Sequence, residues 1–147
     1  MRVQGRRVRR RGDDGAAAVE FALVVPLLLL LILGIISYGY MLSFRQALSQ
    51  GAAEGARAAA ITPSGLDDDE RELRALAKVD EALASYGASC DDAGVTCTVT
   101  FSDCGDARCA SVLVAYPYED GDVGPKFPGS GVVLPDSLTY TSVVEVS

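Results

Sequence analysis

Histidine is absent from all 147 residues. Without an imidazole, the Ser-His-Asp and Cys-His arrangements that activate most hydroxyl and thiol nucleophiles cannot be built. No G-x-S-x-G elbow, P-loop or Rossmann glycine pattern stands in the chain either. These absences argue against an enzyme, and no cofactor is expected. The four cysteines, Cys90, Cys97, Cys104 and Cys109, are separated by six, six and four residues, so there is no C-x2-C pair. With no histidine to complete a tetrahedral set, zinc fits poorly. The acidic cluster Asp67, Asp68, Asp69 and Glu70 lacks EF-hand spacing and its glycine, so it reads as the capped front of a helix. No metal is expected.

Positive charge is scarce over most of the chain. Residues 45–147 carry seven basic side chains against seventeen acidic ones, a net of −10. No basic patch there can hold a polyanion, which excludes a nucleic-acid partner. The remaining basic residues are all at the start. Arg2, Arg6, Arg7, Arg9, Arg10 and Arg11 stand against Asp13 and Asp14, a net of +4 over residues 1–15. This cluster is short, has no interleaved aromatics and directly precedes an apolar run. Such arginines stay on the cytoplasmic side, which places the acidic remainder outside.

Polar side chains are missing altogether from residues 21–36, and the apolar run extends to Leu42. Its 22 residues would rise about 33 Å as a helix, enough to cross a hydrocarbon core of about 30 Å. The expectation is a single pass through the cytoplasmic membrane. The apolar core of a signal peptide is shorter, roughly 7–15 residues, and ends in a small-residue cut site. No convincing site follows here, although the alanines at 58–60 imitate one. At the head of the run sits Glu20. An ionisable side chain costs about 2.5–3.5 kcal/mol at mid-membrane and less near the edge. It either snorkels to the headgroups or has a partner. A cut after Gly15 would supply one, because the new α-amino group of Ala16 is a cation with a pKa of about 8.

Beyond the run, residues 43–61 favour helix by composition and stop at Pro63, Ser64 and Gly65. A helix over residues 16–61 would be about 69 Å long, with Pro26, Gly34 and Gly39 as places to bend. Gly51 and Gly55 form a G-x-x-x-G step beside Ala56 and Arg57, a face on which another helix can approach closely. That helix belongs either to this chain's outer part or to a partner subunit; the plainer alternative is an alanine-rich helix with no dedicated partner. A second helix is expected over 66–86, with Leu73, Leu76, Ala77, Val79, Ala82 and Leu83 at helical spacing. Residues 95–101, 110–116 and 138–146 alternate as strands do, and the intervening SDCGDARC suits a hairpin, with Arg108 a solvated loop residue. A long loop occupies 117–136. All four cysteines fall in the outer part, where disulfides persist. Two bridges are expected. Three pairings are possible, and the local one, Cys90 with Cys97 and Cys104 with Cys109, is preferred for its short loops.

From Gly15 through AAAVEF, the apolar run and QALSQGAAEGARAAA, the chain resembles the TadE-like minor pseudopilins of tight-adherence (Flp-type) pilus systems. The resemblance covers about a third of the sequence. It implies that an aspartic prepilin peptidase cuts between Gly15 and Ala16. It also implies that Glu20 is the pilin glutamate, that Phe21 holds the aromatic position, and that the mature protein works with other pilins in assembling a pilus. Major Flp pilins are generally much shorter, so the resemblance favours an accessory subunit. The expected fold is α+β. Residues 1–15 are a cleaved basic leader, 16–61 a transmembrane and extended helix, and 62–147 a small disulfide-containing extracytoplasmic domain. The rival reading is an uncleaved, single-pass anchor carrying an outer binding domain.

Overall fold

The computed structural model describes residues 13–63, 65, 67–118, 120–121, 123–125, 131 and 134–146, with Asp13 and Asp14 as backbone only. The leader arginines, Ser64, Leu66 and much of the 117–136 loop lie outside the described residues. The architecture is α+β: a long helix α1 (Asp13–Ile61), a second helix α2 (Asp68–Leu83), a 3-10 turn (Ala84–Tyr86), and strands β1 (Thr96–Cys104), β2 (Ala107–Tyr116) and β3 (Leu138–Val146). The chain divides into two units between Ile36 and Ser37.

The first unit is the leading part of α1, through residue 36. Its apolar side chains face outward: Phe21, Leu23, Leu27 and Ile35 are each largely exposed. An apolar surface this continuous is not stable against water and marks a segment to be covered by lipid or by other helices. It is long and apolar enough to be a candidate membrane span. Pro26 lies inside the helix without ending it, although its missing N–H removes the bond that the Ala22 carbonyl would accept.

The second unit begins at Ser37, so the latter half of α1 belongs to the compact domain. Met41, Phe44, Leu48, Ala52, Ala56 and Ala59 recur every three or four residues and are all buried, forming one helical face. The sheet has order β1-β2-β3 and is antiparallel throughout. In the central strand, Ala110, Val112, Val114 and Tyr116 alternate inward. The register sets Val99 opposite Val112, and places Ser142, Tyr140 and Leu138 opposite Val112, Val114 and Tyr116. Period-two alternation puts all of these on the helix-covered face. The threonines at 96, 98 and 100 point to the exposed face.

Two elements differ from the sequence expectation. The hairpin turn is only Gly105 and Asp106, since Cys104 still pairs with Ala107. Gly105 takes φ +81°, and among the described residues only glycines have positive φ, so Asp106 does not, the pattern of a glycine-first two-residue turn. Arg108 therefore lies in β2 rather than in a loop; it donates to the Asp68 carboxylate and sits 5.4 Å from the Phe101 ring centroid. The buried stripe of α2 is Arg71, Ala75, Val79 and Leu83, spaced by four. Leu73 is exposed, because two residues from Arg71 is about 200° around a helix.

Candidate assembly segment and helix-packing face

Gly15, Ala16, Glu20 and Phe21 all lie in the first turns of α1 and are exposed. Ala16 and Glu20 are four apart, so they are neighbours on one helix face. Glu20 is the only charged residue between Asp14 and Arg45. An amine created at Ala16 would thus lie on the same side as the solitary carboxylate of the apolar segment. Two opposite charges meeting at a hydrocarbon edge attract more strongly than in water.

The G-x-x-x-G step has a different neighbour set. A Cβ on Gly51 would lie 3.3 Å from the Cβ of Ala82, and one on Gly55 would lie 3.0 Å from Val79 Cγ2 and 3.1 Å from the Ala75 carbonyl oxygen. Gly51 and Gly55 therefore let α2 pack closely on α1 within the domain, and Ala56 beside them is buried. Arg57 takes no part in that packing. Its side chain is 71% exposed and its nearest acidic partner, Glu54, is 3.8 Å away.

Two features hold this packing in place, and neither was read from the sequence. Arg71 is buried in the stripe of α2 and donates to the Ala59 carbonyl at 2.9 Å. Thr62 donates to the Ala58 carbonyl at 2.7 Å. Together they satisfy carbonyls that the end of α1 leaves open, and the Arg71 cation suits the negative end of the helix dipole. The periodic signal was present, since Arg71 is in register with Ala75, Val79 and Leu83. The second feature is an aromatic cluster. Phe44, fully buried, has ring centroids 5.2 Å from Tyr86 and 4.8 Å from Tyr116, both edge-on. Tyr40 meets Tyr86 at 5.7 Å. Pro125 lies against the helix here: Ser37 donates to its carbonyl at 3.0 Å. Burial pushes the Tyr118 phenol above its usual value near 10, with Tyr40 and Tyr116 adding to the effect.

Cys90 is bridged to Cys97, and Cys104 to Cys109, with Cα separations of 5.5 and 5.8 Å. The first bridge ties the segment after α2 to β1. The second runs diagonally across the hairpin beside its turn. No thiol is free, and among the described residues no three metal-ligating side chains come together.

An apolar helix segment headed by one carboxylate and a disulfide-bridged α+β domain define a class of protein with one candidate membrane span and one folded domain. Residues 15–57 match the family model for TadE, described as TadE-like protein. The matched stretch contains Gly15, Ala16, Glu20, Phe21, Gly51, Gly55, Ala56 and Arg57, and ends before α2. No curated protein and no solved structure matches the chain.

Proposed function

We propose that this chain is a minor pseudopilin or assembly accessory of a tight-adherence pilus, matured by a prepilin peptidase that cuts after Gly15. The observation that carries the reading is the match of residues 15–57 to the TadE-like family. That match begins at the small residue of the expected cut and includes the lone carboxylate. The leader anchors the precursor with its head outside the cytoplasmic membrane. Cleavage removes the basic segment and leaves the amine of Ala16 one helical turn from Glu20. That pair then sets the depth and register of the helix among neighbouring pilin helices, a use in which a buried ion pair contributes specificity more than stability. The 37–146 domain stays outside and performs no chemistry.

The physical support is the exposed apolar surface of α1 before Ser37, which needs a lipid or helical cover. The G-x-x-x-G step is already used within the domain, so contacts with other pilins fall to the segment before it. Two variants test this. Gly15→Lys is expected to leave the precursor uncut and the pilus unassembled. Glu20→Ala is expected to be inserted and cut yet to assemble at least tenfold less pilus, scored by surface pilus yield. Normal piliation by Glu20→Ala would overturn the proposed role of the carboxylate.

A further inference from the structure

We propose that Arg45, held by Tyr140, binds the phosphodiester of a membrane phospholipid in the leaflet next to the 37–146 domain. Arg45 is exposed on α1, and its Nε donates to the Tyr140 hydroxyl at 2.8 Å. Every other described cation has an acceptor of negative or strongly dipolar character. Arg57, Arg74, Lys78 and Arg108 each pair with a carboxylate, and Arg71 is buried on a helix-end carbonyl. Arg45 alone among them is met only by a neutral phenol. That is notable where seventeen acidic side chains face seven basic ones. Among the described residues nothing accepts from the Nη donors of its guanidinium, and that planar fork matches two phosphate oxygens at once.

The setting selects the occupant. Tyr38, Leu42 and Arg45 are at i, i+4 and i+7, one face of α1. Tyr38 is 49% and Leu42 42% exposed, so the apolar run stays uncovered on this face up to one turn before the cation. Gln46 and Ser49 then continue the face as polar. Apolar, then cationic, then polar within three turns follows the order of acyl chain, phosphate and water. A cavity of about 530 Å³ opens beside Arg45, with the hydroxyl-bearing Tyr38, Ser137, Thr139 and Tyr140 in its lining. Tyrosine is also suited to the level of the headgroups. A carboxylate from another protein would satisfy the guanidinium but would not explain the exposed apolar residues on the same face.

The inference rests on α1 entering a bilayer, and it does not depend on cleavage at Gly15. The test is native mass spectrometry of the full chain in mild detergent with added palmitoyl-oleoyl-phosphatidylglycerol. Parallel samples receive the matching diacylglycerol or inorganic phosphate. Wild-type and variant chains share the leader arginines, so the differences between them report on Arg45. The expected result is phosphatidylglycerol retention that falls at least tenfold in apparent affinity in Arg45→Gln. The fall is smaller in Arg45→Lys, several-fold in Tyr140→Phe, and absent in Arg57→Gln. Neither diacylglycerol nor inorganic phosphate should be retained at the Arg45-dependent site. Two intact bridges by mass and an unchanged circular dichroism spectrum establish that the variants are folded. Wild-type lipid retention by folded Arg45→Gln would overturn the proposal, as would equal retention of diacylglycerol. So would binding of inorganic phosphate as tight as that of the lipid. Loss of a chain-to-chain complex without loss of lipid would overturn it in favour of a protein carboxylate.

Discussion

Arg71 is the one charged side chain buried among the described residues. Its removal does two things at once, since the Ala59 carbonyl loses a charged donor and the helix end loses a cation. A hydrogen bond from a charged group is worth about 1.5–3 kcal/mol. Arg71→Ala should therefore lower the unfolding free energy by about 2–3 kcal/mol in a urea titration. The exposed Arg57→Ala should stay within about 0.5 kcal/mol of wild type. Tyr118 carries a pH prediction. Its folded pKa lies above the usual value near 10 because of burial, so the folded state holds a proton that the unfolded chain releases. This contribution to stability is fully present below about pH 10 and is lost as pH rises through the folded value. Chemical melts at pH 8 and pH 11 should show a fall for wild type that is smaller for Tyr118→Phe.

At the scale of elements, the two glycines of α1 make different predictions. Alanine favours helix over glycine by about 1 kcal/mol. At Gly51 the one tight contact of the new methyl is the Ala82 methyl at 3.3 Å, which a small shift relieves, and the Val79 backbone at 3.6 Å is at ordinary contact distance. Gly51→Ala should be close to neutral. At Gly55 it meets Val79 at 3.0 Å and a backbone oxygen at 3.1 Å, and overpacking costs about 1–3 kcal/mol. Gly55→Ala should therefore be net destabilising, by about 1 kcal/mol in the same titration. The glycine spacing in the sequence announced a close helix approach but left open whose helix it was, because small residues carry no record of the partner. The strands were legible from their alternation. The hairpin turn is narrower than the residue types indicate, because Ser102, Asp103 and Arg108 are not strand formers on their own. Pairing across the glycine turn and the Cys104–Cys109 bridge extends both strands past those residues. Leu73 and Ala77 fit a helical stripe by spacing yet are exposed, because packing against α1 selects the 71-75-79-83 line. Arg45 with Tyr140 and Ser37 with Pro125 were not legible. Each joins residues 88 or more positions apart, and no local pattern links them.

For the molecule as a whole, the sequence located the apolar segment and its carboxylate from composition alone, because sixteen residues without a polar side chain leave few alternatives. Where the compact domain begins was less visible. The latter half of α1 looks like a continuation of the rod until the sheet is in place to bury Phe44 and Leu48. The bridges predict how much the small core relies on covalent closure. Replacing Cys90 and Cys97 together by serine should cost about 2–3 kcal/mol, near the chain-entropy value for a short loop. Replacing Cys104 and Cys109 should cost less, because the glycine turn already closes that hairpin. Both are read as shifts of the urea midpoint. Maturation at Gly15 is read directly from the N-terminal sequence and intact mass of the protein taken from its own membranes. The expected result is a chain starting at Ala16 that gains one hydrogen per cysteine on reduction. A chain that keeps residues 1–15, in cells whose prepilin peptidase is active, would contradict it and describe a permanent anchor instead.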